Sequence, residues 1–597
     1  MASKWKAGIL TAALMLSTMP NVYAGPQNGH DRDNEGHSRI RHVLLISIDG
    51  MHAVDFLNCS QGISGVNGGK PYCPHLAELA ETGVNYPDTS TSKPSDSFPG
   101  LTALMSGGGP RSEGAFYDVA YDRSLDGPVI MTGNGVAGTG AGGCVPGVAS
   151  TGGYTTEFDE GIDINKLALN GGAPAGVDGG IQSIDPMKLD RDPARNCAPV
   201  YPWDFVRTNT IFGVIHDAGG YTAWSDKHPS YSSVSGHGSH GMAIDDYYAP
   251  EINSIPVGLP GVSAEGTICN PLPDQTQVTP NNAWTDSFKN IQCYDQLKVN
   301  AVINEINGKT HNDSAPAPQP AILGMNFQTV SVGQKLIEGS VGLTGGYGDS
   351  IGTPTAPLLN EIEFTDTAIG NMVASLKSNG IYESTLIVIT AKHGQSPVDS
   401  ARYLGISNST GDPITTSPST ILDGFGCLPS TESPSTTGGI GPTEDDVSLV
   451  WLNSSCTTAD AVSKLRSASP TTNNVAGIGE IFSGPILRTY FNAPGLPPNG
   501  DPRTPDILTT PDIGVTYSGS TKKLAEHGGF SHDDTNVMML LSNPSFQPKT
   551  VTGPVETMQV APTILEALGL DPNALETSTI EGTQVLPGLD FGDHDLH

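Results

Sequence analysis

Four short stretches, far apart in the chain, hold the side chains best suited to chemistry. The apolar run "LLISIDG" ends in Asp49-Gly50, and "LIVITAKHGQ" ends in Lys392-His393. "AEHGGFSHDD" carries His527, His532, Asp533 and Asp534 just ahead of another apolar run. "TSKPSDSFPGLTALMSGG" places Ser97 where a helix begins. Imidazole beside carboxylate suits zinc and similar ions, so His527 and His532 read as metal ligands, with Asp49 and His393 joining them if the stretches converge. A serine at a helix start sits on free backbone N–H groups and the positive helix end, a natural seat for phosphate. An adjacent metal would lower its pKa and make it a nucleophile. "TAWSDKHPSY" adds Lys227 and His228 after a further apolar run, as groups to grip substrate. Each stretch also has a plain structural explanation: Asp-Gly is a common turn, His393 can be a satisfied loop histidine, and Ser97 can be an N-cap hydroxyl.

Convergence requires a fold that delivers these stretches to one edge, and an open parallel sheet does so at the carboxyl ends of its strands. "HVLLISI", "AILGMNF" and "STLIVIT" are near-continuous apolar runs of buried-strand type. Helical patterns lie between and around them: "CPHLAELAETG" closed by Gly83, "SFPGLTALMSGG" opened by Pro99, and "LLNEIEFTDTAIGNMVASLKSNG" stopped at Gly380. "TNTIFGVIHDAGGYTAW" reads as helix then strand, "DVSLVWLN" with "TADAVSKLRSA" as strand then helix, "NVMMLLSNP" as a late strand and "TMQVAPTILEALGL" as a late helix. The alternation predicts an α/β fold with a mostly parallel central sheet, helices on both faces, and Gly/Pro-rich insertions forming a cap. The Gly-rich segment 131–182 has no G-x-x-x-x-G-K-[ST] and reads as surface insertion, not a phosphate cradle.

The N-terminus, "MASKWKAGILTAALMLSTMPNVYAG", shows a basic start, an apolar segment and a small-residue cleavage pattern, so residues 1–24 are expected to be a secretory signal. A polar leader follows at 25–40, then one hydrolase domain at 41–590 with insertions at about 131–200, 231–315 and 405–445. No other stretch reaches the about 18 apolar residues of a membrane span, which predicts a soluble secreted or periplasmic protein. The formal net charge of −33 disfavours nucleic-acid polymers and anionic membranes as partners. The eight cysteines form no C-x-x-C pair, and an exported chain with an even count is expected to form disulfides. Pairing of sequence neighbours gives Cys59–Cys73, Cys144–Cys197, Cys269–Cys293 and Cys427–Cys456, one of 105 connectivities.

The ordered set "ISIDG", "SFPG", "LMSG", "PRSEG", "AKHGQ", "EHGG" and "VAPTILEALGL" resembles the alkaline phosphatase superfamily, and within it the type I phosphodiesterase/nucleotide pyrophosphatase family. The resemblance runs from about residue 42 to 590, insertions excepted. It implies an alkaline phosphatase-like fold and hydrolysis of a small-molecule phosphoester. By position it makes Asp49 the first metal-binding Asp, Ser97 the nucleophile, His393 the His of "D-H-G" and His527 the metal-binding His of the late "H-G". Three departures stand out. Lys392 occupies the place of a metal-binding Asp, Gln328 and Gln334 stand near the places of another Asp and His, and Gly100 replaces the Asn that assists the transition state. The implied cofactor is therefore a divalent metal, zinc by ligand type, as one ion or an altered pair, with Lys392 able to hold a phosphoryl oxygen. A sulfatase, which shares the superfamily fold, needs C/S-x-P-x-R, and Leu101 stands where the Arg belongs. A non-catalytic exported binding protein that kept the fold is the alternative of a different class.

Overall fold

The first strand sets the architecture. In β1 (His42–Ile48), Val43 and Leu45 point into one apolar cluster while Leu44, Ile46 and Ile48 point into another. A strand that is apolar on both faces must be covered on both faces. The computed structural model describes residues 40–591, apart from 132–137, 140–142, 158–160, 255–282, 407–416, 435–440, 468–476, 497–499 and 519–521. The expected signal segment, most of the polar leader and Cys269 lie outside the described residues.

The central sheet has eight strands, numbered in chain order: β1, β2 (Gly83–Asn85), β3 (Ala223–Ser225), β4 (Asp246–Tyr248), β5 (Ile322–Phe327), β6 (Thr385–Thr390), β7 (Leu540–Ser542) and β8 (Lys549–Thr550). Their order across the sheet is β4-β3-β5-β1-β6-β7-β2-β8. The strands from β4 through β6 are all parallel, with Ser47 level with both Asn326 and Thr390. β7 runs antiparallel to both β6 and β2. The loop before β7 lies at the carboxyl edge of the parallel strands, so the chain enters β7 from that edge and must run backwards. The sheet is thus mostly parallel and mixed on one side.

Helices cover both faces. On the Val43/Leu45 side lie α3 (Ser97–Ser106), α4 (Ile211–Asp217) and α8 (Val560–Ala567), through Phe98, Leu101, Phe212, Ile215, Ile564 and Leu565. On the other lie α1 (Ala53–Gln61), α2 (Pro74–Ala80), α5 (Phe288–Ile306), α6 (Thr329–Lys335) and α7 (Ala356–Ser378). The 23-residue α7 buries Leu358, Ile362, Thr365, Ile369, Met372 and Leu376, positions spaced by three to four residues along one stripe.

Several local expectations change. Pro99 does not open α3: Asp96 caps it, accepting from the Phe98 amide, and Ser97 is the first helical residue. Gly83 starts β2 rather than closing α2, which ends before Glu81. "DVSLVWLN" contributes Ser448–Val450 to a separate four-stranded antiparallel sheet with Thr443–Glu444, Ile507–Pro511 and Ile478–Ser483. The stretch 231–315, expected as an insertion, supplies edge strand β4 and core helix α5. Disulfides join Cys59–Cys73, Cys144–Cys197 and Cys427–Cys456. Among the described residues no helix is long and apolar enough to cross a membrane.

Candidate active site

Because β3, β5, β1 and β6 are parallel neighbours, their carboxyl ends open on one edge, and the residues just past each end meet there. β1 delivers Asp49, β3 delivers Asp226 and Lys227, β5 delivers Gln328, and β6 leads into Lys392 and His393. Two glycines make the approach close. Gly50 has φ +82°, and its amide donates to the His393 carbonyl at 3.1 Å, tying the ends of β1 and β6 together. Gly100 lies in α3 against the Lys392 backbone: a Cβ there would sit 2.2 Å from the Lys392 carbonyl oxygen. An Asn at position 100 therefore has no room while the Lys392 backbone holds this place.

Ser97 projects from the first turn of α3 into this edge. Its Oγ lies 3.1 Å from His393 Nε2 and accepts from Lys227 Nζ at 3.0 Å. His393 Nδ1 is 2.7 Å from the Gly394 carbonyl. A carbonyl only accepts, so Nδ1 carries a proton, and in the neutral ring Nε2 is an acceptor aimed at the Ser97 hydroxyl. The hydroxyl is thus placed to give its proton to an imidazole while an ammonium faces the oxygen, the arrangement of an activated nucleophile.

Asp49, fully buried, is surrounded by donors. Asn326 donates to Oδ1 at 2.7 Å and Gln328 to Oδ2 at 2.6 Å. Lys392 Nζ lies 3.4 Å, His393 Nε2 3.4 Å and Lys227 Nζ 3.9 Å from Oδ2. Burial works against its charge, but Lys392 and behind it Lys227 outweigh burial and hold the carboxyl well below the usual carboxylate range. Lys392 also reaches Asp226 Oδ1 at 3.5 Å. Both ammonium groups lie over the Tyr231 ring, Lys392 at 4.4 Å and Lys227 at 5.6 Å from its centre, within cation–π range.

On the far side His527 packs against His393, ring centres 3.9 Å apart, with its Nδ1 3.3 Å from Asp96 Oδ1 but outside hydrogen-bond geometry. Burial first, with repulsion from Lys335 and Lys227 behind it, pushes His527 well below the usual histidine range, so its ring is neutral at pH 7. Burial raises the Asp96 carboxyl against the pull of the helix amides and Lys227.

The structure thus gathers Ser97, Asp49, Lys227, Lys392, His393 and His527, but not the other two histidines. His228 turns its ring away to Glu251 at 2.9 Å and stacks on Tyr231. His532 is exposed at the start of a short helix, His532–Thr535, apart from the cluster. A polar residue beside a strand end does not reveal which way its ring points. Asp96, Asp226, Asn326 and Tyr231 carry no sequence signal beyond proximity to the motifs.

The divalent metal expected from the resemblance does not fit these residues. A metal ligand must present lone pairs to the ion, yet both Asp49 oxygens already accept from amides and two ammonium groups flank them. Among the described residues no group of three or more His, Cys, Asp or Glu is placed to hold a metal ion.

Sequence comparison matches the sulfatase family model to residues 41–418, well over half of the chain. The chain belongs to the sulfatase family. The type I phosphodiesterase / nucleotide pyrophosphatase model matches residues 344–530, and the two matches together place this sulfatase-family chain in the alkaline phosphatase superfamily. No curated protein matches it in sequence. Among solved structures, murine ectonucleotide pyrophosphatase / phosphodiesterase 5 aligns at 13% identity over 89% of this chain and 96% of its own, with a TM-score of 0.48. Phosphonoacetate hydrolase from Sinorhizobium meliloti 1021, in complex with phosphonoacetate, aligns at 14% identity over 89% and 96%, with a TM-score of 0.46. Within the sulfatase family this chain keeps Ser97-Phe98-Pro99 but has Leu101 where the C/S-x-P-x-R pattern has Arg.

Proposed function

We propose that the chain is an exported phosphoester hydrolase in which Ser97 is the nucleophile, His393 its general base, and Lys227 with Lys392 the cations that receive the phosphoryl oxygens. The observation that carries this reading is the position of Ser97 Oγ between His393 Nε2 (3.1 Å) and Lys227 Nζ (3.0 Å) at the start of α3. Oγ attacks phosphorus as its proton passes to Nε2. The bond from phosphorus to the leaving oxygen breaks, and that oxygen takes the proton back from His393. Water then attacks the phosphoserine with His393 again as base, which frees the phosphate product and restores the hydroxyl. The α3 N-terminus and the two ammonium groups stabilise the charge that gathers on the equatorial oxygens. Export rests on the leader and on the disulfides Cys59–Cys73, Cys144–Cys197 and Cys427–Cys456.

The test is turnover of p-nitrophenyl phosphate and bis-p-nitrophenyl phosphate, with p-nitrophenyl sulfate as control, followed by mass spectrometry of acid-quenched protein. A phosphorylated peptide containing Ser97 is expected. Turnover of the sulfate alone, or turnover with phosphate on another residue, overturns the reading. A second reading, a binding protein that kept the fold, is favoured by one observation: Ser97 is 0% exposed. Absence of turnover with oxyanion binding intact would select it.

A further inference from the structure

We propose that the paired ammonium groups of Lys227 and Lys392 stand in for the divalent metal, making a metal-independent site whose ligand is a monoanionic phosphodiester group. The proposal rests on the reading that a phosphoryl group seats against Ser97.

Three observations support it. First, Asp49 is saturated by N–H donors: Asn326 and Gln328 amides on its oxygens, and both lysines within 3.9 Å. A divalent ion would have to displace buried ammonium groups from the same carboxylate, which like-charge repulsion opposes. Second, the lysines are built in as a pair. Both lie over the Tyr231 ring, Lys392 is 0% exposed with Asp226 at its other side, and Lys227 points at Ser97 Oγ. Third, the charges count differently from a metal pair. Two divalent ions bring four positive charges, whereas two lysines bring two, already facing Asp49 and Asp226. With His393 neutral as the base and Lys335 facing Glu526, the remaining positive potential comes from the α3 N-terminus, at most about half a charge and already capped by Asp96. A buried site so close to neutral accepts a monoanion, while a dianionic monoester would stay under-compensated.

The experiment uses full-length protein treated with EDTA and 1,10-phenanthroline, its residual metal measured by plasma mass spectrometry. Calorimetry with dimethyl phosphate probes the site, and turnover of bis-p-nitrophenyl phosphate is compared with p-nitrophenyl phosphate. Dimethyl phosphate is expected to bind the metal-free protein, and to lose about 10-fold or more in affinity in Lys227→Met and Lys392→Met. Diester turnover should survive chelation within about twofold and exceed monoester turnover by about 10-fold. Lys227→Met, at the less buried lysine, keeps the test decisive if Lys392→Met fails to fold. Ser97→Ala should still bind dimethyl phosphate while losing turnover. Chelator-resistant, lysine-dependent binding without any turnover sinks the hydrolase reading and leaves the lysine site standing. Binding that disappears on chelation and returns with zinc, magnesium or calcium overturns the lysine site, as does faster turnover of the monoester.

Discussion

Two histidines in this molecule, His311 partly buried and His393 fully buried, sit among carboxylates and end up with opposite characters. His311 has a carboxylate on each ring nitrogen, Asp178 at 2.8 Å on Nε2 and Asp246 at 2.5 Å on Nδ1, and its ring stacks on Tyr248. Burial would lower its pKa, but the two carboxylates outweigh that and push it up to about 10. The ring is therefore a fixed cation, clamping the Gly-rich segment around Asp178 and strand β4 to the loop after α5. His393 has a carbonyl on Nδ1, while Nε2 faces the Ser97 hydroxyl with Asp49 beyond it. One ring has no acceptor capacity to spare, and the other keeps a lone pair directed at a hydroxyl. The difference shows that burial and nearby acids do not make a histidine reactive; the partner of its second nitrogen does.

The largest way to break this contrast is at the hydroxyl. Ser97→Ala should reduce phosphoester turnover by on the order of 10⁴-fold or more, since loss of the nucleophile leaves only the binding groups. Residual turnover near wild type, measured with the p-nitrophenyl esters, would mean that the Ser97–His393 contact is structural. The converse change is His311→Ala, which should cost about 3–5 kcal/mol of stability by stranding two buried carboxylates. Urea unfolding measures it, and kcat under folding conditions should stay within about threefold of wild type, because the cluster touches no reacting group. Gly100→Ala tests the frame of the active site rather than its chemistry. Its Cβ would collide with the Lys392 carbonyl, so we expect about 1–3 kcal/mol of destabilisation, seen as a lower urea midpoint, with turnover falling alongside.

The smallest effect sharpens the comparison through pH. His311 has a folded pKa raised above its unfolded value of 6.5, so its stabilisation is fully present below pH 6.5 and is lost as pH rises through about 10. Asp178 is lowered: burial opposes its charge, but the hydrogen bond and the charge of His311 win. Its contribution is present above the unfolded value of 3.8 and fades as pH falls below that. Unfolding free energies at pH 5.5, 7 and 9.5 should therefore decline towards alkali in the wild type, and His311→Gln should decline less. Equal slopes would show that His311 is not a charged clamp.

How much of this was legible in the sequence follows from what short-range pattern encodes. The apolar runs of β1, β5 and β6 announce buried parallel strands, and a parallel sheet obliges whatever follows each strand to share an edge. That is why Asp49, Lys392 and His393 could be placed together from spacing alone. His527 reaches the same edge from the loop before β7, as its place ahead of an apolar run suggested, while Ser97 comes from α3, and the order of the family motifs tied it to the others. The direction of β7 was not legible, because a short apolar run reads the same both ways. Nor was the separate sheet holding Ser448–Val450, whose apolar run resembles a central strand. His228 and His532 stood beside the right elements, yet the side to which each ring turns depends on Glu251 in one case and on solvent in the other. The partners of Asp49 came from Asn326 and Gln328, polar residues at the end of a strand whose neighbours in space are hundreds of positions away in the chain.

The absent side chain at position 100 also bears on which changes the site tolerates. The α3 backbone rests on the Lys392 carbonyl at a point where any Cβ would intrude, so the constraint runs from position 100 to the path of the main chain at 392 and not to the side chain carried there. With glycine in α3 the strand end is free to carry another side chain, whereas α3 regains a side chain at position 100 only by backing away from that carbonyl.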